Sequence, residues 1–318
     1  MPLTDSGGNL PRYGDGDDGM AVQLQALGAR RDAWLYRVCR AKLGAHVPGP
    51  SEGSLPSALL GAAVQVDTKW SPPRVSTAFQ DAGIYVLASQ RNTPQEVFVL
   101  ADAGPHGFSS TAAHAHADAL SFTLSVGGRP ILIDPGTYDY LRDERWRQYF
   151  RSTLAHNTVA IDGLDQSTPV GLFLWTQKAR TTVHSWTVAA SSARLVASHD
   201  GYRRVGVTHQ RCLELQGHTL TILDELRGLG AHRATLCFHL APECTVERLS
   251  TSVLMIAHDN VKVRLTLPSS LVVEQVRGSA EAGWYSPRYG AKQPTWSILA
   301  QASGSLPLSL KTILEVLV

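Results

Sequence analysis

From about residue 75 onward the chain alternates short runs rich in β-branched and aromatic residues with turn signals, and this rhythm restricts its fold more than any other feature. Candidate strands include Gly83–Ser89, Glu96–Ala101, Leu120–Val126, Pro130–Asp134, Thr158–Asp162, Thr181–Val188, Val205–Leu215, Leu220–Leu226, Arg233–Leu240 and Lys311–Val316. Gly127-Gly128, Asp162-Gly163, Gly217-His218 and Gly228-Leu229-Gly230 punctuate them. Many short strands at regular spacing, with no strand–helix alternation, predict a large antiparallel β-sandwich over residues 75–318. Residues 1–70 read as helical instead. Asp17 or Asp18 can cap a helix carrying Met20, Val22, Leu24 and Leu27, and Asp32 can cap a second with Trp34, Leu35 and Val38. A third, short helix is expected over Pro56–Ala63 after a Pro/Gly/Ser stretch. These helices are too few to bury their apolar faces on one another. The class expected is therefore mainly β, preceded by a short helical segment.

Composition removes several function classes. Hydrophobic residues make up 43% and charged residues 18%, which fits a packed core and not a disordered chain. A net charge of +2 and a pI near 8.4 permit an acidic ligand but do not argue for nucleic acid. No apolar run is long enough to span a membrane. Cys39, Cys212, Cys237 and Cys244 have no zinc-ribbon or redox spacing and read as buried small hydrophobes.

Chemistry concentrates in a few segments. In Ala113-His114-Ala115-His116-Ala117-Asp118, polar metal-capable side chains alternate with alanines. On an extended backbone His114, His116 and Asp118 would share one face. Ile131-Leu132-Ile133-Asp134-Pro135-Gly136 ends a strand in a carboxylate, placed either as a ligand or as a turn former. Arg151-Ser152-Thr153-Leu154-Ala155-His156-Asn157 brings a further histidine to the start of a strand. Together His116, Asp134 and His156 make a two-histidine, one-carboxylate set suited to Zn²⁺ and other borderline divalent ions. Geometry sets a condition on it. With Gly127-Gly128 as a hairpin turn, Asp134 falls opposite Ser121, and a fully extended His116 would lie roughly 16 Å away. The set therefore requires the His114–Asp118 segment to curl back before its strand begins, which the small alanines permit. Finally, Tyr138, Tyr140, Arg142, Arg145, Arg147, Tyr149 and Arg151 form an aromatic and basic stretch, either a solvated loop or a place for arginines to hold an anionic ligand. Asp15-Gly16-Asp17-Asp18-Gly19 lacks the closing Glu of a calcium loop and reads as helix capping.

These segments resemble the heparinase II/III-like polysaccharide lyases. The matching text is Asp102-Ala-Gly-Pro-His106-Gly, His114-Ala-His116-Ala-Asp118-Ala-Leu-Ser-Phe, Asp134-Pro-Gly-Thr-Tyr138, Tyr149-Phe-Arg151-Ser-Thr-Leu-Ala-His156-Asn157-Thr and Asp162-Gly-Leu-Asp-Gln166. The resemblance implies an N-terminal (α/α) toroid joined to antiparallel sheets, with β-elimination of uronic-acid-containing polysaccharides in the cleft between them. It implies His114 as the catalytic histidine, His116, Asp134 and His156 as ligands of a structural Zn²⁺, and Tyr140 or Tyr149 as the proton-transferring tyrosine. Arg147 and Arg151 are the candidates for holding the uronate carboxylate. Residues 1–70 correspond to the tail of the toroid only, with Leu10–Gly19 resembling its last portion, so this chain would carry one side of the cleft. The expected partner is an acidic polysaccharide. For the full-length protein a periplasmic or secreted setting is expected. Two other readings stay open: a non-catalytic carbohydrate-binding or structural β-module that keeps the zinc site, and a metal-dependent hydrolase.

Overall fold

The computed structural model describes residues 3–7, 9–16, 76–107, 110–280 and 282–317. The helices expected over residues 17–63 lie outside the described residues.

In chain order, a five-strand meander comes first: β1 (Thr77–Phe79), β2 (Ile84–Ser89), β3 (Val97–Asp102), β4 (Phe122–Val126) and β5 (Arg129–Leu132). A helix, α1 (Glu144–Arg151), follows, then β6 (Val159–Ile161) and the hairpin β7 (Thr168–Val170) and β8 (Leu174–Gln177). The long strands come next: β9 (Thr181–Val188), β10 (Ser192–His199), β11 (Val207–Gln216), β12 (Thr219–Gly228) and β13 (Ala231–His239). The chain closes with β14 (Thr245–Arg248), β15 (Val253–His258), β16 (Val261–Thr266), β17 (Val272–Arg277), β18 (Trp284–Arg288), β19 (Ala291–Pro294), β20 (Trp296–Ser305) and β21 (Leu308–Leu317).

The meander forms one sheet in the order β1-β2-β3-β4-β5, and an eight-stranded sheet runs β14-β15-β16-β21-β12-β11-β10-β9. A third sheet has the order β17-β20-β13-β6, and every pairing in the three is antiparallel. The predicted sandwich is therefore the fold. Period-two burial explains why. In β11, Val207, His209, Arg211, Leu213 and Leu215 point inward while Thr208 and Gln216 face solvent. In β12 the inward set is Leu220, Ile222, Asp224 and Leu226. These faces join Leu87, Val99, Phe122 and Leu124 of the meander and Leu236 and Phe238 of β13 in one apolar core. Cys212, Cys237 and Cys244 are buried free thiols, as their spacing suggested.

Two local features place the site. First, β4 begins at Phe122, not at Leu120. Leu120 takes a left-handed φ of 61°, and the Ser121 N–H closes a turn on the Asp118 carbonyl (2.9 Å). Residues 111–121 are consequently a folded-back loop, which removes the 16 Å separation an extended strand would impose. Second, the β4–β5 hairpin turns at Gly127-Gly128 and carries a bulge between Leu124 and Ser125 that moves its register by one residue.

Candidate metal centre and adjoining cleft

Three hydrogen bonds lock the folded-back loop to the segment that carries His156. Thr153 Oγ1 donates to the Ala117 carbonyl (2.8 Å), Thr158 Oγ1 to that of Ala119 (3.0 Å), and the Ala117 N–H donates to the Arg151 carbonyl (2.9 Å). The alternation of His114, His116 and Asp118 is thereby broken. His116 and Asp118 turn inward, whereas the His114 side chain leaves 63% of its surface exposed. From the other side, β5 runs out into Asp134-Pro135-Gly136. Gly136 has φ 83°, and a Cβ there would stand 2.6 Å from both the Ser286 carbonyl and an Arg12 nitrogen. Its N–H donates to Asp134 Oδ1 (2.8 Å), which leaves Oδ2 aimed at His156 Nε2, 3.4 Å away.

The result is a cluster of His116, Asp118, Asp134 and His156 whose ligand atoms all lie within 4.8 Å of one another. A buried His/Asp cluster of this kind can hold a metal ion. Hydrogen bonding supports the fit. The Nδ1–H of His156 donates to the Ser152 carbonyl (2.7 Å), because a carbonyl can only accept. His116 Nε2 faces the Asp15 carboxylate (3.0 Å) and must likewise be the donor. That fixes a proton on each of those two nitrogens and turns the other two, His116 Nδ1 and His156 Nε2, toward each other 3.1 Å apart. Two such nitrogens repel unless a proton or a cation lies between them. Two nitrogens bound tetrahedrally to one Zn²⁺ stand about 3.3 Å apart, close to the distance seen.

Electrostatics point the same way. Four carboxylates converge here: Asp15, Asp134, Asp118 and Asp102, the last accepting from the Tyr13 hydroxyl (3.1 Å). Burial pushes the Asp118 carboxyl up to about 8, with Asp102 and Asp134 adding to the effect and His156 opposing it. Burial raises Asp102 to about 6 against its bonds from Gly104 and Tyr13. His156 would be lowered by burial, but its bond to Asp134 and the Asp118 charge carry it up to about 9. Bound divalent cations reverse this crowding of like charge.

Asp15 and Asp118 complete the arrangement in ways the sequence reading did not assign. The sequence groups Asp118 with the histidines but does not place it among the ligands, and it presents Asp15 as part of a capping stretch. In the structure its side chain is fully buried, accepts two bonds from Arg147 (2.5 and 2.7 Å), and orients His116. This is a carboxylate–histidine pair of the kind that fixes ligand orientation around metals. The acidity of residues 15–18 is the only sequence signal that hinted at it.

The remaining site residues separate into exposed and buried groups. His114 lies 6.1 Å from the half-buried Tyr140 ring, and Phe173 and Tyr289 pack on Tyr140 at 5.4 and 5.2 Å, so an aromatic-walled surface adjoins the exposed imidazole. Tyr149 is not part of it. It sits on the buried face of α1, its hydroxyl accepts from the Trp284 N–H (3.3 Å), and burial pushes its pKa above the usual tyrosine range. Arg147 and Arg151 are also turned inward, 0% and 1% exposed. Arg147 is paired with Asp15, and Arg151 donates to the Leu172 and Gly171 carbonyls and to Gln148. The geometry gives these arginines protein partners in the places where an external carboxylate was expected.

Comparison with known proteins fits this architecture. The Heparinase II/III-like, C-terminal family model matches residues 71–311. The chain belongs to that family. No curated protein matches it by sequence. Among solved structures, a heparinase III superposes with a TM-score of 0.71 at 16% identity, over 99% of this chain and 44% of its own. The heparan sulfate lyase HepC from Pedobacter heparinus gives 0.71 at 16%, over 99% and 45%. A further heparinase III gives 0.63 at 20%, over 78% and 37%. The chain thus spans less than half the length of these structures. Its sheets are those of the heparinase C-terminal region.

Proposed function

We propose that this chain is the metal-braced C-terminal part of a polysaccharide lyase that cleaves uronic-acid-containing chains by β-elimination. One observation supports the reading most. Two residues along a single loop, one imidazole is buried in a metal-competent cluster and the other projects to solvent beside a tyrosine. Such a loop positions a proton-handling histidine by anchoring its neighbour.

In β-elimination a base takes the proton from C5 of the uronate, and that electron pair becomes the C4–C5 double bond. The C4–O4 bond breaks, and O4 takes up a proton as it leaves. His114 is assigned to proton transfer at C5, and Tyr140 to protonation of O4. Positioned groups of this kind contribute about 10²–10⁴-fold each. Tyr149, Arg147 and Arg151 are assigned structural roles here because they are buried and already partnered. Neutralising the substrate carboxylate, the largest electrostatic requirement of the reaction, then falls to exposed cations such as Arg142 or to residues outside this chain. His116, Asp118, Asp134 and His156 would hold Zn²⁺. An ion held there would supply rigidity to the loop and not a Lewis acid, because four protein donors would leave it no open position.

Incubation of the chain with heparan sulfate, alginate and other uronate polymers tests this reading by the ultraviolet absorbance of the unsaturated uronate product. That chromophore is expected for the wild type and lost in His114→Ala. Because the chain spans less than half of the lyases it superposes on, a second reading has specific support: a non-catalytic carbohydrate-binding module. Saccharide affinity without the chromophore would establish it. New reducing ends without the chromophore would mean a hydrolase.

A further inference from the structure

A second polar cluster lies within the sandwich, on inward positions where β-core strands normally place apolar residues. Arg211 and Asp224 face each other across the β11–β12 pair, 2% and 0% exposed in their side chains. Arg211 Nε and one terminal nitrogen donate to the two Asp224 oxygens (2.7 and 3.1 Å). His209 adds a bond to Asp224 (2.7 Å), and His199 contacts His209 at 3.1 Å. A buried ion pair is weak evidence for stability, since an apolar pair of similar volume commonly does as well or better. Its remaining bonds suggest a different use. The other terminal nitrogen of Arg211 donates to the carbonyls of Leu120 (2.8 Å) and Asn157 (2.7 Å). Leu120 is the left-handed residue two positions after Asp118, and Asn157 directly follows His156. Asn157 extends the connection. Its side-chain nitrogen donates to the Phe122 and Ile133 carbonyls (2.8 and 3.0 Å), and Ile133 precedes Asp134.

We infer that Arg211, held by Asp224, is a positioning residue for the metal centre: one guanidinium sets the distance between the loop bearing His116 and Asp118 and the segment bearing His156. The inference rests on the metal reading above. Lysine has no fork and cannot reach the carboxylate and both carbonyls together. Apparent zinc affinity, measured by competition with a chromophoric chelator, is expected to fall about 10–100-fold in Arg211→Lys, the range for loss of an outer-shell partner. Arg91→Lys serves as the control. It lies in another buried ion pair, Arg91–Glu96, and is expected to lower the melting temperature with zinc affinity unchanged. Equal loss of zinc affinity in both variants would overturn the inference, as would wild-type affinity in a folded Arg211→Lys.

If Arg211→Lys does not fold, the double variant Arg211→Met/Asp224→Leu removes both charges together, the change that buried pairs tolerate best. It must still bind zinc at least tenfold more weakly. Wild-type affinity there would also overturn the inference. A wild-type chain that takes up no zinc at all is a separate outcome and refutes the metal reading. The clamp is then decided by amide exchange in residues 113–121 and 152–158, expected to be faster in the metal-free Arg211 variant than in wild type, and refuted if equal.

Discussion

Asp15→Asn is the most incisive single change. It keeps the shape of a fully buried side chain and removes its charge. Two buried partners lose a carboxylate at once, Arg147, itself 0% exposed, and His116 Nε2 at 3.0 Å, and the exposed His114 Nδ1 loses it from 3.4 Å. Breaking a buried ion pair from one side costs about 3–5 kcal/mol, because the other charge stays buried without a counter-ion. At about 2 °C per kcal/mol for a chain of this size, the melting temperature should fall by about 6–10 °C. Loss of the carboxylate that orients His116 should also weaken zinc about 10–100-fold. Differential scanning fluorimetry with and without chelator, together with a zinc titration, separates the two effects: the first persists in chelator and the second vanishes. Asp15 gives a further check through pH. Its pKa is lowered because the His116 and Arg147 bonds outweigh burial. Its stabilisation is therefore present above the ordinary carboxylate pKa of 3.8 and is lost as pH falls through the lower folded value. A variant melting within a degree of wild type, with unchanged zinc affinity, would refute the reasoning about both partners.

Three further outcomes are expected. His116→Ala should abolish the zinc-dependent rise in melting temperature, which for wild type at a hundredfold excess over Kd is about 2.7 kcal/mol, or about 5 °C. A variant that keeps the rise would show the ion binding elsewhere. His114→Ala should leave zinc content and melting temperature as in wild type, given its 63% exposed side chain, while removing any elimination activity; a loss of bound zinc measured by atomic absorption would contradict the division of labour in the loop. Asp224, held near 2 by Arg211 and His209 against the effect of burial, should contribute about 2 kcal/mol that is present above pH 4 and lost as pH falls toward 2. Acid melts of wild type and Asp224→Asn should therefore converge at low pH, and parallel curves would count against it.

The sandwich could be read from the sequence because turn dipeptides and period-two burial are local signals. Gly127-Gly128 and Gly217-His218 do turn hairpins, and β11 and β12 alternate as their residues suggest. The site was legible only in part. His116, Asp134 and His156 carry recognisable side chains in recognisable segments, and the structure brings them together. The way they meet depends on a left-handed Leu120 and on threonine bonds from the His156 segment, and neither has a sequence period. Asp15 lies 101 residues from the histidine it orients. Arg147 and Arg151 show the converse limit of a sequence pattern. In a basic, aromatic stretch, arginine suggests an external anion, yet at the i, i+4 spacing of α1 both fall on the face the helix buries. Asp224 and Arg211 look like ordinary strand positions in the sequence, because alternation reveals which way a residue points and not what meets it there.

The donors of the metal cluster come from a loop before β4, the end of β5 and the entry to β6, and are oriented from residue 15. No short stretch of chain can assemble more than two of them. Coordination of an ion there would therefore await closure of long-range pairings, which are the slow part of building a sheet protein. An interaction made that late lies beyond the rate-limiting barrier, so it leaves the refolding rate nearly untouched and acts on the lifetime of the finished molecule. Metal supply would then govern how long the protein survives once made, not how quickly it is made.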